Sequence, residues 1–145
     1  MRALGLDVGE RRIGVASGDT DSGIAVPAGV IKNSPKATED VVREAHARDA
    51  EVVVVGIPYS MSGRVGPQAL VVQECVRGLE EAGLTVETVD ERLSSAEAER
   101  ALAAGRTEGR GRRRPERGTV DAAAAVVILQ AWLDGRRRPE DTPPS

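Results

Sequence analysis

A chain of 145 residues, 40% of them hydrophobic, is long enough for one domain with a substantial core. It contains no Phe, one Trp and one Tyr, so that core must come from Val, Leu, Ile and Ala; the single cysteine, Cys75, excludes an intramolecular disulfide and suits a reducing compartment. A net charge of −3 excludes a uniformly basic nucleic-acid protein, and no apolar run approaches a membrane span, so a soluble, cytoplasmic protein with no membrane partner is expected.

The opening run, Met1-Arg-Ala-Leu-Gly-Leu-Asp7-Val-Gly9-Glu-Arg-Arg-Ile-Gly14-Val-Ala-Ser17, reads as a hairpin. Ala3, Leu4 and Leu6 suit a strand covered on both faces, and Asp7 places a carboxylate where that strand ends. Gly9 is expected to make the turn through positive φ, before Ile13, Val15 and Ala16 resume an apolar pattern. An Asp at a strand end serves equally well as a turn-former bonded to its own backbone, and this stretch alone does not choose between the two roles.

Ile24 to Ile31 reads as a third strand, and Pro27, lacking a donor, assigns it to the sheet edge. Thr38 is expected to cap a helix reaching about Arg48, in which the lone His46 is a surface residue. Glu51-Val-Val-Val-Val-Gly56-Ile-Pro58 is a continuous β-branched run of the kind buried in parallel sheets. A Gly- and Pro-bearing loop leads to a helix from about Gln68 to Ala82, with Leu70, Val71, Cys75, Val76 and Leu79 on its apolar side and Gly83 as its stop. Cys75 reads there as a small core residue. Thr85 to Asp90 alternates as a strand and again ends on a carboxylate.

Ser94 or Ser95 caps a further helix that fades by Gly105. Thr119 caps the last one, an apolar helix running to Asp134. Residues 136–145 offer nothing to bury and are expected to form a disordered tail behind a domain of residues 1–135. The order β-β-β-α-β-α-β-α-α, with two parallel crossovers, implies an α/β fold.

Charge is distributed unevenly. Between Arg106 and Arg117 six arginines face Glu108 and Glu116, whereas Glu87, Asp90, Glu91, Glu97 and Glu99 are opposed only by Arg92. These are either two solvated surfaces of opposite sign or the two halves of a metal-and-phosphate site. Asp7 and the Asp90-Glu91 pair sit at strand carboxyl ends, where α/β sheets place their sites, and Asp121 lies in the first turn of a helix otherwise uncharged until Asp134. Three carboxylates so placed favour the site.

The blocks Gly5-Leu-Asp7-Val-Gly9-Glu-Arg-Arg-Ile-Gly14-Val-Ala, Val55-Gly56-Ile-Pro58, Met61-Ser-Gly63, Gly66-Pro-Gln68-Ala, Asp90-Glu91-Arg92-Leu-Ser-Ser, and Asp121-Ala-Ala-Ala with Ile128-Leu129-Gln130 resemble the YqgF/RuvX family of pre-16S rRNA nucleases, relatives of Holliday-junction resolvases. The resemblance spans about residues 1 to 135. It implies an RNase H-like fold with a mixed five-stranded sheet. It also implies an acidic set of Asp7, Asp121 and one carboxylate of the Asp90-Glu91 pair, with Glu91 preferred because Asp90 can serve the strand-end turn. Tyr59, Ser94-Ser95 and the Arg-rich loop depart from the family pattern and remove none of these acids.

Such a set implies a metal-dependent nuclease with two Mg²⁺ or Mn²⁺ ions on carboxylate oxygens, which needs no Ser, His or Cys nucleophile. Arg11, Arg12, Arg110, Arg112, Arg113, Arg114 and Arg117 are the candidate contacts to the nucleic-acid backbone. The implied substrate is RNA, at the 5′ end of pre-16S rRNA. Branched DNA cleaved by a Holliday-junction resolvase is the alternative, and so is a non-catalytic RNA-binding factor on the same scaffold, acting as monomer or homodimer. Leu6-Asp7-Val8-Gly9 also resembles the phosphate loop of actin-like ATPases and sugar kinases, but 145 residues do not supply their two lobes.

Overall fold

The computed structural model describes residues 1–58, 66–91 and 117–136, with the backbone alone for residues 117–121. Strands β1 (Arg2–Val8), β2 (Arg12–Asp19) and β3 (Ile24–Lys32) form an antiparallel meander. Helix α1 (Ala37–Ala47) crosses to β4 (Val52–Ile57), and α2 (Pro67–Glu81) crosses to β5 (Val86–Asp90). Strand β4 runs parallel to β1 and β5 parallel to β4, and the sheet order is β3-β2-β1-β4-β5. The last described helix is α3 (Arg117–Arg136). The helix expected between Ser94 and Gly105 lies outside the described residues.

The central strands β1 and β4 are buried along nearly their whole length, as their unbroken apolar runs require. One sheet face carries Leu4, Leu6, Ile13, Val15, Val53 and Val55 against α1 and α2. The opposite face carries Ala3, Ala16, Val52 and Val54 against Ile128, Leu129 and Leu133 of α3. That face is floored with small residues so that the helix can lie close. A Cβ on Gly5 would stand 2.6 Å from the Leu129 Cβ and 3.0 Å from the Ala125 carbonyl oxygen.

Several local features follow from the backbone. Gly83 takes φ +95 after α2; its N–H bonds the Glu80 carbonyl, while the Leu84 N–H bonds the Leu79 carbonyl, closing a Schellman motif. Asp49 does the same for α1 at φ 53. Pro27 lies in β3, which is an edge strand, and the register slips beside it between Val15 and Ala16. The Gln130 side chain reaches this edge: its Nε2 donates to the Gly23 carbonyl at 2.8 Å and its Oε1 accepts the Ala25 N–H at 3.0 Å. At the far end of β2, the Asp21 N–H donated to Asp19 holds that carboxyl below its usual range, and the chain's amino terminus adds to the effect.

The sequence expectations need correction at several places. Gly9 does not use positive φ; a Cβ there would meet the Arg12 carbonyl oxygen at 2.9 Å, so close approach is what requires glycine. Helix α1 starts before Thr38, and Ser34 organises the preceding turn by accepting the Lys36 N–H. Helix α3 likewise starts before Thr119 and takes in Arg117. The buried side of α2 is Ala69, Val72 and Leu79, with Leu70 and Val71 exposed, because the sequence pattern overlooks a small alanine as an anchor. Arg136, assigned to the tail on sequence, is the last residue of α3, its guanidinium 4.8 Å from the Trp132 ring.

Gly5→Ala forces Leu129 and the α3 backbone away from the sheet. The variant is expected to lose about 2–3 kcal/mol in denaturant unfolding, the upper part of the usual range for overpacking.

Candidate active site

Side-chain parity sorts the acids. Ala3, Gly5 and Asp7 share the α3 face of β1, and Val52, Val54 and Gly56 share it on β4. Asp7 pairs with Gly14 on β2. One step beyond the Leu6–Val55 pair, Asp7 stands beside Gly56 on β4. The carboxylate of the central strand therefore has a glycine beside it on each neighbouring strand, and the space over Gly56 is filled by Ile128 and Glu91. Asp7 is buried, at 7% exposure.

Glu91 follows β5 directly and is 2% exposed. Its Cγ lies 3.0 Å from where a Gly56 Cβ would be, so its side chain occupies the space over Gly56. Adjacent strands are about 4.8 Å apart, which makes Asp7 and Glu91 neighbours across that glycine. Asp90 has the opposite parity: Val86, four residues back on the same side of β5, packs with α1 and α2. Asp90 is half-buried. Parity thus sets Glu91, and not Asp90, on the face that holds Asp7.

Helix α3 brings the third acid to the same end. It runs antiparallel to β1, with Leu129 and Ala125 over Gly5. One helical turn back from Ala125 is Asp121, a displacement of about 6 Å along the helix. Two residues on from Gly5 is Asp7, a displacement of about 6.6 Å along the strand. The Asp121 backbone therefore stands toward Asp7 as that of Ala125 stands toward Gly5. The side chain of Asp121 lies outside the described ones.

Hard oxygen donors at the ends of two strands of the sheet, recessed beside a glycine, suit Mg²⁺ or Mn²⁺ better than softer metals. Among the described residues no three acid, histidine or cysteine side chains form a metal-sized cluster. Cys75 is no competing nucleophile: burial against the α1–α2 core pushes its thiol above the usual range.

The candidate phosphate contacts divide. Arg11 and Arg12 stand at the β1–β2 turn, next to Asp7, and line a hollow of about 460 Å³ with Glu10, Val30, Lys32 and Asn33. Arg117 lies in the first turn of α3 with its side chain undescribed, and Arg110, Arg112, Arg113 and Arg114 lie outside the described residues. Sequence reasoning missed the glycines flanking Asp7 and the cation Lys32. Both depend on the register between strands, for which the sequence carries no local signal.

A mixed five-stranded sheet with acids at the carboxyl ends of its strands defines an RNase H-like, nuclease-type domain. The sequence model of the RuvX family, described as Holliday junction resolvase, matches residues 1–135, and the chain belongs to that family. It is 43% identical over 143 residues to the "Putative pre-16S rRNA nuclease" of Picosynechococcus sp., covering 94% of both chains. It is 45% identical over 139 residues to the protein of the same name from Chloroflexus aurantiacus, covering 92% of this chain and 87% of that one. Among solved structures it resembles T. thermophilus RuvC in complex with Holliday junction substrate, with TM-score 0.58 and 19% identity over 94% of this chain and 96% of that one. It also resembles the fowlpox virus resolvase in complex with Holliday junction DNA, with TM-score 0.55 and 12% identity over 95% of this chain and all of that one. Both likenesses are of fold.

Gly56→Ala tests the Asp7–Glu91 geometry. Its Cβ meets Ile128 Cδ1 at 2.5 Å and Glu91 Cγ at 3.0 Å. Adding Ile128→Val removes the Cδ1 contact and leaves the 2.9 Å contact with Cγ1, so it relieves part of the clash on the helix side only. The double variant is expected to recover part of the melting temperature lost by Gly56→Ala while metal-induced stabilisation stays impaired; full recovery of that stabilisation would show that Glu91 is not displaced.

Proposed function

We propose that this protein is a metal-dependent endonuclease that hydrolyses phosphodiester bonds in structured RNA, at the 5′ end of pre-16S rRNA. The observation that carries the chemistry is the convergence of two buried carboxylates, Asp7 and Glu91, across Gly56, with Asp121 on the helical turn above. The names of relatives 41–45% identical over most of the chain support the substrate.

In this reading Asp7, Glu91 and Asp121 hold one or two Mg²⁺ or Mn²⁺ ions. When bound, such ions lower the pKa of the attacking water and offset negative charge on the leaving oxygen. The protein residues supply the rest. Burial of Asp7 and Glu91 limits the access of bulk water to their oxygens, and the β-ladder sets the spacing of the strands that carry them. The absence of a side chain on Gly56 lets Glu91 reach across β4 toward Asp7. Arg11, Arg12 and the arginines from Arg110 to Arg117 bind backbone phosphates without reading bases, the role assigned to them on sequence.

Asp7→Asn, Glu91→Gln and Asp121→Asn are each expected to fold, to lose the rise in melting temperature on adding Mg²⁺ or Mn²⁺, and to lose cleavage by a few orders of magnitude, about 4 kcal/mol of transition-state stabilisation. Asp90→Asn is expected to be milder than Glu91→Gln. Normal cleavage by Asp121→Asn sinks the three-acid reading. The substrate is tested on precursor rRNA, single-stranded RNA and four-way junction DNA. Preferred cleavage of the junction moves the assignment to the resolvase activity that describes the family model. Metal-independent RNA binding without any cleavage makes the protein a binding factor.

Replacing Arg112, Arg113 and Arg114 together by Ala is expected to weaken binding and flatten its salt dependence, by about one unit of slope for each phosphate no longer neutralised. A single-turnover rate that collapses at saturation while the slope holds places these arginines in the chemical step.

A further inference from the structure

The β1–β2 turn is built as a cationic pocket. Arg12 and Lys32 are directly opposed on β2 and β3, and both have the sheet parity of Gly14, which faces Asp7. Like charges placed opposite each other across antiparallel strands weaken the pair. Among the described residues no carboxylate forms an ion pair with Arg11, Arg12 or Lys32. Lys32 and Arg11 are exposed and Arg12 is half-buried. The turn is nevertheless held in one shape: Asn33 donates its Nδ2 to the Gly9 carbonyl at 2.7 Å and its N–H to the Arg11 carbonyl at 2.9 Å. A held turn that keeps three cations around one hollow against a single carboxylate, Glu10, leaves a net positive lining, at a cost in sheet stability, and suits an anion as its occupant.

Its position says which anion. Gly14 is cross-strand from Asp7, about 5 Å away, and Arg12 lies two residues along β2, about 6.8 Å from Gly14. The Arg12 Cα is therefore roughly 8 Å from that of Asp7, on the same face of the sheet. We propose that Arg12 and Lys32, with Arg11 at the rim, form a subsite for a backbone phosphate of the substrate strand next to the scissile one, positioning that strand over Asp7. This deepens the nuclease reading above and rests on it for the word scissile. The phosphate contact itself stands without cleavage.

The test uses the full chain in EDTA, with 2′-O-methyl oligoribonucleotides and junction DNA carrying a neutral methylphosphonate at one position at a time. Lys32→Thr keeps strand propensity and removes the charge; Arg12→Gln removes the other. Each variant is expected to melt no lower than the parent, to bind more weakly, and to reduce the slope of log affinity against log salt by about one unit. One methylphosphonate position is expected to weaken the parent and leave Lys32→Thr unaffected, since each removes the same contact. In cleavage, KM rises and the rate at saturation holds. A parent that cleaves while both variants keep its slope and KM overturns the subsite and leaves the nuclease. Reduced slopes with no cleavage by any protein support the subsite and overturn the nuclease. Equal losses at every methylphosphonate position show a diffuse basic surface, and overturn it too.

Discussion

The contact on which the site depends is that of α3 with a floor of glycine. Helices pack on sheets through side chains, and a full-sized residue at position 5 or 56 would hold this helix away by the thickness of a methyl group. Because Gly5 and Gly56 have none, Ala125, Ile128 and Leu129 settle onto the middle of the sheet. That close seat sets the helix height and carries Asp121 to the level of Asp7. The same two glycines therefore serve packing and chemistry. Dispersion between the closely seated surfaces offsets some of the strand propensity lost at each glycine.

The charge arrangement at this end of the sheet has a direction. Glu91 lies over β4, Asp7 ends β1, Gly14 continues across β2, and Arg12 with Lys32 closes the row toward the β3 edge. Negative side chains are buried and positive ones stand at the rim. Buried acids are costly to ionise but gain strongly from a small divalent ion held between them, whereas exposed cations interact through water and are screened by salt. Burial thus suits the acids to a lasting partner and exposure suits the cations to a passing one.

Much of this was legible in the sequence for definite reasons. The unbroken Val52–Val55 run could hardly be anything but a central strand, Pro27 assigned β3 to an edge, and Gly83 marked the end of α2. Asp7 and Glu91 stood out as charges at the ends of strands. What one chain could not display was the relation between strands. That Gly14 lies opposite Asp7, or Lys32 opposite Arg12, depends on register, which no local pattern encodes before the strands are paired. The buried face of α2 was misread for a different reason: Ala69 contributes little hydrophobicity yet fits where Leu70 does not. Which of Asp90 and Glu91 shares the face of Asp7 became clear only when β5 acquired a covered side.

The amide of Gln130 has a consequence for how molecules of this protein can meet. An edge strand offers its outward N–H and C=O groups to any extended chain that drifts alongside, the route to open-ended stacking. On β3 the outward carbonyl of Gly23 and N–H of Ala25 are both taken by that single side chain, which imitates a stretch of neighbouring backbone. At the next outward position stands Pro27, which has no hydrogen to offer, and the register slip beyond it bends the ladder. The beginning of this edge is thus closed from within, by a residue of the helix that roofs the sheet. A foreign strand that would extend the ladder finds no backbone donor there.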